Sequence, residues 1–470
     1  MQKHHLRHLL VVLYILLTVA TYAQRTTTIL DNGPDGEKLV FVVLGDGYAA
    51  GDQAKYQADV KSLLLDGVFS HDFYKDNKNA FNIYRVDLIS EESGVSSSPT
   101  FIKNTALKVV YTGQWSRCWL EESRETDSLI TNAISVAKYD FVLVLANEKG
   151  YGGCRRGSRL YVTSGDPWQV VAHEYGHGIA GLLDEYSVQS TGAYTGDPTN
   201  YLNCSTELNR KTVVWSKLLD SNIDIPSDNA SQINSNDTVG EFTGCNYAET
   251  GIYRPVRECR MVSNTPHFCP VCLALMQNAV KGYLSQPTSG RPAPPAQGKN
   301  PAAAPQAEAA PIVTRFVNLV VRLKANNQPA IEKATESTGR LALSPQGSPA
   351  FIGALSKGGQ PTVASLIVDD PYVVRGFVDP EHKEKGENIS RADEATVVLH
   401  LPQASLASAM KGFGLQFYSV RAAHMAAIKP SQLLDMKGLL DSVGTANTKM
   451  VVEMPQKEFS KGVRAAAVPQ

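Results

Sequence analysis

The stretch that most constrains this chain covers residues 171–186 and contains His-Glu-Tyr-Gly-His. His173 and His177 are four residues apart, so a helix places both on one face, where two imidazoles can bind one metal ion. The side chain of Glu174 projects from the helix about a third of a turn away from that of His173. We therefore expect it to lie beside the metal without binding it. The stretch therefore predicts a zinc site in which Glu174 acts as a base on a water that the metal activates.

Glycines accumulate after the first histidine. Gly176, Gly178 and Gly181 lie within six residues, which disfavours an ordinary core helix. They fit a backbone that approaches a substrate or metal, and a helix that ends at Gly181 in a left-handed cap. After such a cap the chain can turn back, and we expect Asp184 to approach the same metal. A buried helix with merely hydrogen-bonded histidines explains this combination less well.

The first residues resemble an export signal. Basic residues precede an apolar core at residues 9–20, which is too short to span a bilayer, and small residues follow where cleavage would occur. We expect a signal peptide over residues 1–23, no transmembrane segment after cleavage, and a secreted, periplasmic or cell-surface protein. The 45 basic and 46 acidic residues nearly cancel, so nothing favours nucleic acid as a partner.

The chain contains seven cysteines, all between residues 118 and 272. Export favours disulfides, and an odd number leaves one thiol free or paired elsewhere. Cys269-Pro-Val-Cys272 has the spacing of half a structural zinc site, but no second pair with this spacing accompanies it. We therefore expect disulfides, with a connectivity that the sequence does not define.

Alternating strands and helices predict an α/β (α+β) fold for the first part of the chain. Apolar runs at residues 38–44, 80–89 and 139–146 indicate strands, with helices at 52–68 and 127–137 between them. A short strand at residues 159–163 is expected at the rim of a cleft, where it could pair with an extended substrate, or as a plain edge strand.

The composition changes beyond residue 284. Residues 285–311 are rich in proline and alanine and indicate a solvated linker. Residues 312–470 contain several segments in which apolar and polar residues alternate, which predicts an all-β, sandwich-like accessory domain. This domain has no cysteine, and we expect it to serve binding or packing.

Several ordered blocks over roughly residues 38–283 resemble the M64 family of metallopeptidases, the group named for bacterial IgA peptidase. The blocks are Gly45-Asp-Gly-Tyr48, Tyr151-Gly-Gly153, His173-Glu-Tyr-Gly-His177, Ala180-Gly-Leu-Leu-Asp-Glu-Tyr186, Tyr253-Arg-Pro255, Cys259-Arg-Met261 and Phe268-Cys-Pro-Val-Cys272. The resemblance implies a metzincin-like zinc peptidase domain over residues 24–284. It also implies that Asp184 is the third zinc ligand and that Met261 lies in a turn beneath the metal.

The third ligand has two alternatives. Ala180 and Leu183 hold the places of the usual metzincin glycine and third histidine, and Asp184 comes one residue later. The adjacent Glu185 could therefore bind in its place. A gluzincin arrangement would instead need a glutamate from a second helix, for which Glu207 is the candidate, although the sequence pattern of such helices is missing.

A tyrosine that assists other metzincins has no counterpart at its usual place, because Ser263 stands two residues after Met261. Tyr186, Tyr247 and Tyr253 are the candidates for a donor to the transition state.

These observations together predict a secreted zinc endopeptidase that acts on protein or peptide substrates. One Zn²⁺ per chain would bind His173, His177 and Asp184, with Glu174 as general base. One alternative is a non-catalytic zinc-containing surface or adhesion protein, which would fit the modular C-terminal part but would not need Glu174. Another is a non-peptidase zinc hydrolase, which the candidate cleft-edge strand disfavours weakly.

Overall fold

The computed structural model describes residues 25–97, 102–112, 120–122, 125–136, 138–187, 192–196, 200–264, 266–284, 312–324, 328–342, 351–367, 373–376, 389–420, 435–443 and 447–467. The expected signal peptide and linker lie outside these residues. The described part is a mixed α/β structure with several sheets and few helices. No helix in these ranges has both the length and the apolar character that a membrane crossing requires.

The strands occur along the chain as β1 (Arg25–Leu30), β2 (Leu39–Asp46), β3 (Phe81–Asp87), β4 (Val110–Tyr111), β5 (Leu120–Glu121), β6 (Phe141–Ala146), β7 (Cys154–Arg156), β8 (Arg159–Thr163), β9 (Asn200–Tyr201), β10 (Cys204–Ser205), β11 (Phe242–Cys245), β12 (Ala248–Arg254), β13 (Ile312–Leu323), β14 (Pro329–Ala342), β15 (Phe351–Lys357), β16 (Gln360–Ile367), β17 (Val373–Gly376), β18 (Ile389–Arg391), β19 (Ala395–Leu401), β20 (Phe413–Val420) and β21 (Thr448–Met454).

The α-helices of the described residues are α1 (Gln53–Val60), α2 (Asp72–Asp76), α3 (Thr126–Ala133), α4 (Trp168–Ala180), α5 (Pro270–Leu284), α6 (Leu406–Met410), α7 (Met436–Val443) and α8 (Gln456–Ala466). Helix α1 continues as a π-helical segment, Lys61–Gly67. The helix expected over residues 52–68 is therefore present, with a change of winding in its second half.

The largest sheet has eight strands in the order β1-β3-β2-β6-β8-β7-β17-β18. Strands β3, β2, β6 and β8 run parallel to one another. All eight residues of β2 are buried, because one face packs against a core that includes α4 and α5 and the other against a second apolar cluster. Burial on both faces explains why the central strands are continuous apolar runs.

Strand β8 differs from the expectation. It pairs in parallel with β6 on one side and antiparallel with β7 on the other, and all five of its residues are buried. The prediction of a cleft-rim or edge strand is therefore wrong, since the neighbouring strand β7 already occupies the side on which a substrate backbone would add. Strand β8 therefore gives no reason to favour peptides over other substrates.

The C-terminal region contains a three-stranded sheet, β14-β13-β19, and a four-stranded sheet, β16-β15-β20-β21. Apolar residues of both sheets share one core, including Leu319 of β13 and Leu355 of β15. Strands β17 and β18 from the same part of the sequence instead extend the large sheet through β7. The region is therefore rich in strands and in contact with the N-terminal part, and the domain boundaries stay a prediction.

Candidate metal centre

Helix α4 carries the two histidines. It begins at Trp168, directly after Pro167, and ends at Gly181, whose φ of 61° is left-handed and whose N–H donates to the carbonyl of His177. The left-handed cap predicted at Gly181 is confirmed. Every residue from Val170 to Ala180 is buried, so the helix presents its histidines inside the protein, close to the chain that returns after the cap.

His173, His177 and Asp184 meet at one point. The Nε2 atom of His173 lies 3.0 Å from Asp184 Oδ1, and the Nε2 atom of His177 lies 3.2 Å from the same oxygen. The two Nε2 atoms are 3.1 Å apart. These atoms form a nearly equilateral triangle of possible metal ligands.

The outer nitrogens of both rings hold them in place. His173 Nδ1 lies 2.7 Å from the carbonyl oxygen of Arg260, and His177 Nδ1 lies 2.5 Å from that of Leu182. A carbonyl oxygen only accepts, so each Nδ1 carries a hydrogen, and a neutral ring then directs the lone pair of Nε2 into the triangle. Two lone pairs and a carboxylate oxygen converge there, an arrangement that calls for a proton or a metal cation.

The pKa values of the triangle residues also indicate that a cation is favoured between them. Burial lowers the pKa of His173, but the hydrogen bond and the charge of Asp184 outweigh it and raise this pKa to about 9. Burial raises the pKa of Asp184, yet the two histidines together hold it well below its usual range. The buried charge of Asp184 thus favours a proton or a metal cation in the triangle.

Glu174 follows His173 in α4 and is near enough for its charge to act on the His173 ring, but it does not belong to the triangle. The residue is buried, and its Oε2 atom has no hydrogen-bond partner among the described residues. Leaving a carboxylate oxygen buried and unpartnered is costly. Such an oxygen can accept a hydrogen bond from a substrate or a water molecule, as a general base must.

Met261 lies against α4 on the side of Gly176. A Cβ atom at Gly176 would stand 3.3 Å from Met261 Sδ and 3.0 Å from the ring of Phe268. A Cβ atom at Gly178 would stand 2.5 Å from the ring of Phe141. These two glycines therefore permit close packing within the protein, and the expectation that they let the backbone approach a substrate or metal is wrong.

The three candidate tyrosines lie at different distances from the site. Tyr247 donates a hydrogen bond from its hydroxyl to Asp184 Oδ2. The ring of Tyr186 meets that of Tyr247 edge-on, with centroids 5.4 Å apart. Tyr253 lies in β12, opposite Ser205 of β10 and Thr243 of β11. The structure therefore brings Tyr247 to the triangle and Tyr186 next to Tyr247.

The alternative ligands lie elsewhere. The side chain of Glu185 turns away from the histidines, and its Oε1 accepts a hydrogen bond of 2.9 Å from Asn203 Nδ2. Glu207 lies in an irregular segment, and within the described ranges no α-helix occurs between Gly181 and Cys269. The helix that the gluzincin alternative needed at Glu207 is therefore missing from the described residues.

The cysteines correct another expectation. Cys204 and Cys245 form a disulfide, and Cys154 is also disulfide-bonded. Cys259, Cys269 and Cys272 are free and buried, whereas the sequence suggested disulfides with one thiol free or paired elsewhere. With Glu185 they form a second cluster of possible metal ligands. Cys269-Pro-Val-Cys272 was the only sequence signal for this cluster.

Comparison with known families finds a match in the N-terminal part of the chain. The family model described as IgA Peptidase M64 matches residues 27–234. This range contains His173, Glu174, His177 and Asp184 and ends before Met261. No curated protein matches the chain.

Proposed function

Because the family model of IgA peptidase M64 matches residues 27–234, we propose that the chain is an exported zinc endopeptidase with a metzincin-like catalytic domain. One Zn²⁺ binds His173, His177 and Asp184, and Glu174 is the general base. The observation that carries this proposal is the triangle of three ligand atoms, with sides of 3.0–3.2 Å, beside a buried carboxylate. Met261 packed against α4 supports the metzincin-like arrangement.

The residues of the triangle fit zinc. Imidazole nitrogens and a carboxylate oxygen are ligands that zinc takes, with bonds of about 2.0–2.2 Å, and in a tetrahedral site two such atoms lie about 3.3 Å apart. The observed sides are only slightly shorter. When bound, the ion supplies Lewis acidity that lowers the pKa of a water and polarises a carbonyl group. Three protein ligands leave one position for this chemistry.

The protein groups have separate tasks in peptide hydrolysis. Glu174, with its unpartnered Oε2, takes a proton from the attacking water and later delivers it to the nitrogen of the leaving amine. The carbonyls of Arg260 and Leu182 hold both imidazoles in the tautomer that directs Nε2 inward. Tyr247 fixes the carboxylate of Asp184 by donating to Oδ2.

Glu174→Gln tests this assignment. The amide keeps the size of the side chain and removes the base, so we expect cleavage of casein or gelatin to fall by roughly 10²–10⁴-fold while the zinc content stays that of the wild type. Glu258→Gln is the matched control, because Glu258 is exposed, and it should cleave at the wild-type rate. Wild-type activity in Glu174→Gln would show that another group is the base. A zinc-loaded wild type that cleaves no protein would favour the non-catalytic surface protein.

Export and domain organisation are part of the same proposal. The basic and apolar segments of residues 1–23 support cleavage before Gln24. The change of composition at residues 285–311 supports a peptidase domain over residues 24–284 and an accessory domain over residues 312–470. Sequencing the N-terminus of the mature protein, expressed with its own leader, tests the first point. Limited proteolysis that cuts first within residues 285–311 tests the second.

A further inference from the structure

A second cluster of ligand atoms lies on the other side of the Asp184-Glu185 peptide. It consists of the thiols of Cys259, Cys269 and Cys272 and the carboxylate of Glu185, and one atom from each lies within 4.8 Å of the others. All four residues are fully buried. The cluster is separate from the histidine triangle, since Asp184 contributes to one and Glu185 to the other.

The carboxylate of Glu185 is under-satisfied where it lies. Oε1 accepts from Asn203 Nδ2 and lies 3.0 Å from Cys272 Sγ, while Oε2 has no hydrogen-bond partner among the described residues. Arg254 is near enough to sense this charge, but its Nη1 donates to the backbone carbonyls of Thr243 and Gly244. A buried carboxylate with an unpartnered oxygen is costly unless a cation binds it.

The sulfur atoms are arranged as thiolate ligands are. Backbone N–H groups of Met261 and Cys269 point at Cys259 Sγ, at 3.4 and 3.3 Å, and that of Cys272 points at Cys269 Sγ at 3.4 Å. Such donors stabilise negative charge on sulfur. Cys259 Sγ and Cys272 Sγ lie 3.8 Å apart, close to the separation of about 3.8 Å that two sulfurs have in a tetrahedral site with zinc–sulfur bonds of about 2.3 Å.

We propose that Cys259, Cys269, Cys272 and Glu185 bind a second zinc ion, which is structural. Three soft thiolates select zinc over hard cations, and four protein ligands in a closed, buried site leave no position for a substrate. A disulfide between two of the cysteines would need sulfurs about 2.05 Å apart, and it would leave Glu185 Oε2 buried without a hydrogen-bond partner among the described residues.

The second zinc holds the parts that shape the first site. Cys269 directly precedes α5 and Cys272 lies in its first turn, and Cys259 begins the turn that contains Arg260 and Met261. The Arg260 carbonyl receives the hydrogen bond from His173, and the Met261 carbonyl receives one of 2.7 Å from the N–H of Glu185. The ion would thus link α5, this turn and the segment after Gly181, and its ligands would act on the catalytic residues by positioning them.

Metal analysis of the full mature chain, purified without chelators, tests the proposal. We expect two zinc ions per chain in the wild type. The double variant His173→Ala/His177→Ala should keep one, and Cys269→Ser/Cys272→Ser should also keep no more than one. Val280→Ala is the control, because Val280 is a buried residue of α5 outside the cluster, and it should keep two. A wild type with one zinc, lost in the histidine variant, would overturn the second site.

Two further measurements leave the cysteines unchanged, so neither depends on a cysteine variant that fails to fold. Cobalt loaded in place of zinc should show a thiolate-to-cobalt charge-transfer band in the near ultraviolet, and this band should persist in the histidine double variant. An organomercurial titration should release one zinc as three thiols react. Absence of the band, or a mass that shows a disulfide among Cys259, Cys269 and Cys272, would overturn the proposal.

These results are independent of the proposed activity. A protein that cleaves nothing but keeps one zinc in the histidine variant would retain the structural site and lose the proposed function. An active peptidase whose single zinc depends on the histidines would do the opposite.

Discussion

Asp184 and Glu185 are neighbours in the chain but serve two different clusters. Asp184 faces two imidazole nitrogens, at 3.0 and 3.2 Å, whereas Glu185 faces three thiols. The first cluster has three possible metal ligands, and the nearby Glu174 has an oxygen, Oε2, without a hydrogen-bond partner among the described residues. The second has four ligands and full burial. A site built for chemistry leaves a position open, and a site built for stability closes it.

The comparison also shows how one segment can couple stability to activity. The N–H of Glu185 donates to the Met261 carbonyl, and the Asn203 side chain bonds both the N–H and the carbonyl of Leu183. A displacement of the cysteine cluster would therefore also displace Asp184, because only a short stretch of backbone separates them. We expect the two sites to differ in which property fails first when a ligand is removed.

The largest expected difference is between Asp184→Asn and Glu185→Gln. Asp184→Asn should weaken binding of the proposed zinc, which would stabilise the transition state by several kcal/mol. Peptidase activity should therefore fall by about 10³-fold or more. Glu185→Gln should instead lower the thermal unfolding midpoint and the zinc content, with a much smaller loss of activity below that midpoint. Metal analysis, calorimetry and casein cleavage of both proteins give the answer. Loss of the same zinc ion in both variants would break the distinction.

The residues of the first cluster could be predicted from the sequence because their signals are local. His173 and His177 share a helix face by their spacing, and Gly181 ends that helix in a left-handed conformation with φ of 61°. The return of Asp184 needed only the few residues after the cap. Tyr247 lies 63 residues from Asp184, and its donor role depended on how β11 and β12 pack, so the sequence could name it only among three candidates.

The second site could not be predicted, because its ligands are distant in sequence. Glu185 and Cys272 are 87 residues apart, and a single Cys-x-x-Cys is ambiguous in a chain that is expected to be exported. The predicted position of β8 was wrong for a similar reason. Its neighbour β7 has only three residues, and β7 in turn pairs with β17, more than 200 residues later. Short strands and long-range pairing leave little periodic signal.

Asp140, a partly buried carboxylate, sharpens the comparison because the protein itself supplies its cations. Asp140 Oδ2 lies 2.5 Å from Lys138 Nζ, and Oδ1 lies 3.2 Å from His400 Nε2. Burial raises the pKa of Asp140, but Lys138 and then His400 outweigh it and lower the pKa to about 2. Unlike Asp184 and Glu185, Asp140 should be indifferent to chelators.

Acid should instead reveal the contribution of Asp140. The folded pKa is lower than the unfolded value, so its stabilisation is complete above about pH 4 and is lost as the pH falls toward 2, about 2 kcal/mol in all. Urea unfolding of Asp140→Asn at several pH values should show a weaker dependence over this range than the wild type. Asp66→Asn, at an exposed position, is the control. An unchanged pH dependence in Asp140→Asn would mean that other carboxylates dominate acid unfolding.

The smallest expected effect is that of Tyr247→Phe, which removes one hydroxyl from Asp184 Oδ2 and keeps the ring. Loss of this hydrogen bond to a proposed zinc ligand should lower the zinc affinity of the histidine site by about tenfold, as mutation of a metal ligand's hydrogen-bond partner typically does. Competition with a chromophoric chelator measures this, and zinc at the cysteine cluster should be unaffected. Tyr253→Phe, in β12, should bind zinc like the wild type. A large fall in kcat with unchanged zinc affinity would contradict this role and would place the Tyr247 hydroxyl on the reacting carbonyl oxygen, since only an interaction made in the transition state lowers kcat without weakening the ground state.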